Sequence, residues 1–403
     1  MYVKAEEEPE GIDDQGGNPE EVYNKTYREY HTYLEIALFT EYKKSRRPVR
    51  TSSTSTNVTV HFDIHHVSIN QNEQTMTVHG TVLMKWLDEF LGWDPQDFKG
   101  IEFISCPEWR VWRPKIRVAN SASGVFSNYE VASYAHVLVK TLGKEQAMLS
   151  MYPLFSAKVG CNLDFSTFPE DAHSCTVSFF TKQSMNEVRL AVLNDMAPTV
   201  NLGWDAQSNK RIISDFEILN VSSELFYYRN GDITALEPSK NELSSAWSVL
   251  NLTVQFRRHS AVFGVCVLLP SLVLVSFNVL PFFLPCLQHS VYVLVTNIIM
   301  QAIFLQKFIN SMPLSAEKVP KSVLFYSLTM WFNMFSLVLH ILLVIANKQL
   351  LAVTTVRCTL LALDKTIKAR LPYSSKSPIA TLRATAGVFI LVFYTLLMFA
   401  LLI

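Results

Sequence analysis

No excess charge of either sign marks this sequence: 35 basic residues balance 35 acidic ones. Nucleic acid demands a basic surface, so it is left without a footprint here. No Gly-rich phosphate loop and no nucleophile elbow occur, which removes the usual signatures of nucleotide hydrolysis and acyl transfer. No apolar run opens the chain either. Its first twenty residues are acidic and Gly-rich, and residues 1–22 read as a disordered tail with too little apolar surface to fold. A secreted domain normally follows a cleaved leader. Two readings stay open: a start further upstream, or targeting by the first membrane span. His61, His65 and His66 share one strand-like run, but neighbours along a strand point to opposite faces and zinc needs convergent ligands. Neither metal nor cofactor is expected.

What the chain has is an uneven distribution of apolar residues. Up to about Ser260 polar and apolar residues alternate as in a soluble domain; from Ala261 long apolar runs dominate. Crossing a bilayer takes roughly 20 mostly apolar residues. Four stretches qualify: Ala261–Leu284 with Pro270 and Pro281, Val291–Ile309, Val323–Ala346, and Ala384–Ile403. The expected architecture is mixed, an all-β sandwich with a short N-terminal helix followed by four transmembrane helices. The domains read as 23–260 outside, 261–346 for three spans, a 347–383 loop and 384–403 for the fourth span.

Orientation follows from the loop between the third and fourth spans. It carries Lys348, Arg357, Lys365, Lys368, Arg370, Lys376 and Arg383 against one acid, Asp364, which marks it as cytoplasmic and puts the N-terminal domain outside. Glycosylation acceptors at Asn24, Asn57, Asn220 and Asn251 all precede the first span. Leu350, Leu351, Val353, Leu360 and Leu361 lie among the basic residues. That pattern fits an amphipathic helix on the inner membrane surface and equally a helix packed against another.

Strand-like alternation recurs from Asn57 to Phe256, with turn residues between runs. Tyr27 to Tyr42 has helical spacing, with Tyr30, Leu34, Ala37 and Leu38 on one face. Of six cysteines, Cys106, Cys161 and Cys175 fall on the oxidising side, whereas Cys266, Cys286 and Cys358 lie in or inside the membrane and stay reduced. The stretch CNLDFSTFPEDAHSC spans Cys161 to Cys175; a disulfide closing a loop of that size contributes about 3 kcal/mol in the chain-entropy model. Cys106 is left as a buried thiol.

That loop, with Phe168, Pro169 and Asp171, resembles the loop of the Cys-loop receptors, the pentameric ligand-gated ion channels. Trp86-Leu-Asp-Glu-Phe-Leu-Gly-Trp-Asp-Pro and Glu108-Trp-Arg-Val-Trp112-Arg-Pro114 resemble the nicotinic acetylcholine receptor branch. Arg257-Arg258 before the first span, Pro270 within it, and Pro313 and Val319-Pro320 after the second extend the likeness from Tyr23 to Ile403. The resemblance implies a non-enzymatic, multi-pass plasma-membrane subunit, postsynaptic in the manner of a neurotransmitter receptor. It implies a homo- or hetero-pentamer of related subunits in a lipid bilayer, with a small extracellular ligand bound between outer domains and a Cys161–Cys175 disulfide.

The family's aromatic cage holds a cation against ring faces, and its positions are largely replaced here. Ala119, Lys182 and Thr81 stand where aromatics are expected, and the adjacent-cysteine pair is absent. Tyr227, Tyr228 and Trp247, around Arg229-Asn-Gly-Asp, are pocket candidates together with Lys182; strand packing explains the aromatics as well, and a solvated surface explains the lysine. In the second span, Tyr292, Thr296, Ile299, Ile303, Lys307 and Asn310 form one stripe at helical spacing. Ile299 and Ile303 repeated around a ring would make an apolar gate that closes by dewetting. The inner linker Pro285-Cys-Leu-Gln-His-Ser290 has no carboxylate, and Lys307 either faces the outer pore or snorkels to the interface. Two functions compete: a ligand-gated channel subunit, and a non-conducting accessory subunit of such pentamers.

Overall fold

Glu29 starts the first helix by accepting the Thr26 N–H at 2.5 Å, a capping box that satisfies donors a helix start leaves open. The computed structural model describes residues 26–122, 136–168, 170–202, 211–213, 215–259, 261–310, 318–363 and 378–401. The 1–22 tail, Asn24, Pro169, Pro313 and the basic segment from Asp364 to Lys376 lie outside the described residues. Helix α1 (Tyr27–Phe39) keeps most of the expected inner face: Leu34 is fully buried and Tyr30 and Leu38 pack beside it, whereas Ala37 is exposed.

Fourteen strands follow among the described residues: β1 (Thr56–Asn70), β2 (Thr75–Asp88), β3 (Phe103–Pro107), β4 (Ile116–Val118), β5 (His136–Thr141), β6 (Ala147–Met151), β7 (Leu154–Gly160), β8 (Ala172–Thr181), β9 (Val188–Val192), β10 (Thr199–Val200), β11 (Ile212–Ile213), β12 (Phe216–Arg229), β13 (Asp232–Thr234) and β14 (Ala246–Arg258). One sheet runs β10-β1-β2-β6-β5-β3, with β7 beside β2 and β9 beside β1. The other runs β11-β12-β14-β8-β4, with β13 beside β12. Their inner faces meet in a sandwich. Phe62 of β1 and Phe155 of β7 close on Phe179 of β8, with ring centroids 4.8 and 5.9 Å from it.

Period-two alternation puts Val58, Val60, Phe62 and Ile64 inward. A bulge between Ile64 and His66 shifts the phase, so Val67 is the next buried residue. Gly80 faces that bulge, and a Cβ there would stand 2.2 Å from the Asp63 carbonyl oxygen. Cys106 is fully buried, and burial pushes its thiol up to about 12, which makes it inert as a nucleophile.

Among the described residues four α-helices follow the sandwich: α2 (Ala261–Val279), α3 (Leu287–Asn310), α4 (Lys321–Leu363) and α5 (Pro378–Leu401). Leu287–Asn310 and Lys321–Gln349 are long and apolar enough to cross a membrane, and shorter apolar stretches, Leu269–Phe282 and Arg383–Leu397, lie in the other two. Helix α4 differs from the expected span. No proline or glycine interrupts the chain between Ala346 and Leu363, so residues 347–363 continue the same helix for 43 residues in all.

Polar side chains tie the bundle together. Asn278 of α2 donates to the Tyr394 hydroxyl of α5 at 2.8 Å and accepts from Asn297 and Gln301 of α3 at 2.6 and 3.3 Å. All four are sealed from solvent. Arg383 is likewise no solvated loop residue. It lies inside α5, and its buried guanidinium donates to the carbonyls of Pro281 (2.7 Å) and Leu284, which end the first apolar stretch.

Candidate functional site

The loop between Cys161 and Cys175 sits where sandwich and helices meet. The two cysteines are bonded, with Cα atoms 5.6 Å apart, an ordinary disulfide span. Alternation along β14 separates the arginine pair: Arg257 is exposed and reaches Glu217 at 2.9 Å, whereas Arg258 turns inward. Its Nε and Nη2 donate to Asp171 Oδ1 and Oδ2 at 2.7 and 3.0 Å, and Nη2 also reaches Gln71 Oε1 at 3.2 Å. Burial would raise the Asp171 carboxyl, but hydrogen bonds from His173, 2.5 Å away, and from Arg258 outweigh it and hold the group below the usual carboxylate range. The guanidinium lies over the rings of Phe168 and Phe216, 4.7 and 4.8 Å from their centroids.

From this hub the loop grips the helices. Phe168 packs edge-on to Phe308 near the end of α3, centroids 5.5 Å apart, and Phe308 meets Tyr326 of α4 at 5.4 Å. The Ser322 hydroxyl donates to the Phe168 carbonyl at 2.9 Å, and the Lys321 N–H to the Ser166 carbonyl at 3.1 Å. Lys318 reaches Asp164 at 3.4 Å.

At the opposite end of the β12–β14 ladder stand the aromatic candidates. The strands pair from Phe216 with Arg258 to Arg229 with Ala246, a span of roughly 40 Å at the usual strand rise. Asn230 and Gly231, both at positive φ, turn β12 into β13. Tyr228 and Trp247 are register partners with ring centroids 6.1 Å apart. The indole N–H donates to the Lys182 carbonyl at 3.3 Å, while the Lys182 side chain is exposed. Tyr227, next along the strand, takes the other face and packs against Met185, Leu243 and Ala246. Tyr228 and Trp247 therefore meet, Lys182 joins them through its backbone carbonyl, and Tyr227 stands apart. Nearby, Arg229 pairs with Glu242.

Along α3, all six stripe residues are exposed in the single chain, with Tyr292, Ile299 and Ile303 at 68, 56 and 51%. Ser290, Leu294, Asn297, Gln301 and Phe308 take the buried face. Among the glycosylation candidates, Asn57 and Asn220 are exposed. Asn251 is half-buried on β14, its amide oxygen shut from solvent between flanking strands.

Sequence reading alone passed over Asn278, Asn297, Gln301 and the Asp171–Arg258 pairing. The signal for the amides was present as lone carboxamides in apolar runs, with Asn297 and Gln301 four residues apart on one helix face. For the ion pair, 86 intervening residues hide the partnership.

Residues 32–260 match the neurotransmitter-gated ion-channel ligand binding domain. The chain is 42% identical over 332 residues to the acetylcholine receptor-like protein cup-4 of Caenorhabditis briggsae, which covers 82% of this chain and 76% of that protein. It is 26% identical over 287 residues to the human acetylcholine receptor subunit gamma (70% of this chain, 52% of that one). To the 5-hydroxytryptamine receptor 3A of Cavia porcellus it is 25% identical over 319 residues (77% and 60%). It thus spans little more than half the length of these vertebrate subunits. With the disulfide-closed loop, the sandwich and the domain match agreeing, this chain belongs to the neurotransmitter-gated ion-channel family as a divergent Cys-loop receptor subunit.

Proposed function

We propose that this chain is a subunit of an extracellular ligand-gated ion channel, built as a pentamer of related subunits in the plasma membrane. Helices α2 to α5 carry its four spans, residues 347–383 face the cytoplasm, and α3 lines the pore with Tyr292, Thr296, Ile299, Ile303, Lys307 and Asn310. Exposure of that stripe in the single chain supports the assignment, because a pore-facing row contacts neither its own sandwich nor its own bundle. The observation that carries the reading is mechanical continuity. One antiparallel ladder runs from Tyr228 and Trp247 to Arg258, Arg258 clasps the Cys loop, and that loop packs on the ends of α3 and α4.

Ligand binding between outer domains would bias this ladder, and the junction would pass the bias to α3. The names of two relatives carry acetylcholine and 5-hydroxytryptamine, a quaternary ammonium and a protonated amine, both cations. An exposed lysine at 182 and no aromatic at 119 or 81 disfavour a buried cation here, so a ligand with a neutral or acidic group suits this site better.

Recording from cells that express the chain alone and with nicotinic-type subunits tests the proposal. The recordings use a panel of cationic, neutral and acidic transmitters with ion substitution. Ligand-evoked current that changes when Ile299 or Trp247 is substituted is expected. Surface pentamers silent to every ligand, alone and in company, would overturn it.

A further inference from the structure

The three histidines of the first strand do not converge, but the fold brings one of them a partner from elsewhere. His65 turns toward Asp63 and Thr81, each 3.4 Å from its Nε2. The bulge between Ile64 and His66 resets the strand phase and sends His66 to the outer face of the first sheet, where it is exposed. There it is the register partner of His79 on β2, with ring centroids 6.0 Å apart and ring planes inclined by 31°.

Neither ring makes a side-chain hydrogen bond or ion pair among the described residues, so both imidazoles are uncommitted. A neutral imidazole offers a ring-nitrogen lone pair to a metal. Zinc–imidazole bonds are about 2.0–2.1 Å long, so one ion shared by two rings would hold their centroids about 5–6 Å apart. The observed 6.0 Å lies at the upper end of that range.

We propose that His66 and His79 form a two-imidazole site for a divalent transition metal such as zinc. Imidazole nitrogen suits zinc and copper, whereas calcium and magnesium require oxygen ligands. Among the described residues no third histidine, cysteine or carboxylate joins the pair. Water therefore completes the coordination, and the site is weaker than a four-ligand structural one.

Its position gives the ion something to act on. The hairpin of β1 and β2 carries Gln71 at its turn, which accepts from Arg258 at 3.2 Å, and the Gln74 carbonyl accepts the Cys161 N–H at 2.8 Å. A metal clamped across the hairpin braces the strand pair that touches the junction between sandwich and helices.

Thermal unfolding of tag-free full-length protein in detergent, titrated with zinc chloride, tests the site. A ligand that binds only the folded state raises the melting temperature with concentration. Zinc should raise it and magnesium and calcium should not. His66→Ala and His79→Ala should each weaken the apparent zinc affinity at least tenfold, and the double variant should show no zinc-dependent shift. His61→Ala should behave as wild type. If an alanine variant melts early without metal, His66→Asn and His79→Asn carry the same expectation. An unchanged zinc shift in the double variant, or no shift in the wild type, would overturn the proposal. Because the readout is binding and not current, it stands or falls separately from the channel reading.

Discussion

Asp171 and Arg258 form a two-pronged ion pair sealed from solvent, with both carboxylate oxygens accepting from one guanidinium at 2.7 and 3.0 Å. Charges in such a place cost several kcal/mol each to desolvate, and removing one partner strands the other. Asp171→Leu and Arg258→Met should each destabilise the outer domain by about 3–5 kcal/mol. The double variant should lose much less than their sum, since no buried charge is left alone. Thermal melting of the four proteins in one double-mutant cycle measures this; additive losses would count against a coupled pair. Because the folded Asp171 carboxyl is depressed, its contribution is complete above the usual carboxylate range and disappears as pH falls through the folded value. The acid limb of wild-type stability should therefore be steeper than that of Asp171→Asn.

Asp88 titrates in the opposite sense. Burial pushes it up to about 6, despite hydrogen bonds from the Tyr42 hydroxyl at 2.7 Å and the Phe90 N–H at 2.9 Å. A carboxyl with a raised folded value penalises folding once it must ionise. The penalty is absent below the unfolded value near 4, grows from there to about 6, and is full above it. Its full size is about 3 kcal/mol, at 1.36 kcal/mol per pH unit. Asp88→Asn removes the penalty and also one acceptor, so its effect should be read as a difference. The variant should gain on the wild type between about pH 4 and pH 6 in paired melting curves. A gap that stays constant across that range would show that Asp88 ionises normally.

Asn278 holds amides and a hydroxyl from two other helices. Asn278→Leu keeps the branched four-atom side chain and strands Gln301 and Tyr394 in an apolar bundle, at about 1–3 kcal/mol for each buried group left without a partner. The expected result is earlier loss of helical signal on heating in detergent, with the outer-domain transition unmoved. A melting curve identical to wild type would mean that the network does not set bundle stability.

The architecture was legible in the sequence wherever a single period carried it. Alternation in β1 and β2 and the apolar run of α3 give element type and rough extent directly, and the family resemblance of the loop gives the Cys161–Cys175 pairing. The shortfalls arise where a distant partner decides. The bulge at Ile64 to His66 flips the outer half of a strand with no special residue in the strand itself; the constraint sits across the sheet at Gly80. Arg383 reads as loop charge until its guanidinium is seen to satisfy carbonyls about 100 residues earlier. The pocket candidates show the same limit. Tyr227 and Tyr228 are adjacent in sequence, yet alternation sends them to opposite faces.

Ile299 offers the sharpest test of the helix phase. On α3 its side chain is exposed, while Asn297 and Gln301, two residues to either side, are buried and bonded within the bundle. A 3.6-residue period then fixes Ile299 and Ile303 on the face turned away from the other helices. If that face lines a pore, ten isoleucines from five subunits form a dry ring whose closure depends on excluding water. Ile299→Ser should wet the ring, raising resting current in cells with unchanged surface protein, whereas Ile299→Val should leave it closed. Asn297→Val should instead lower bundle stability with little effect on leak through surviving channels. Resting leak from Asn297→Val and none from Ile299→Ser would put the pore on the other face of α3.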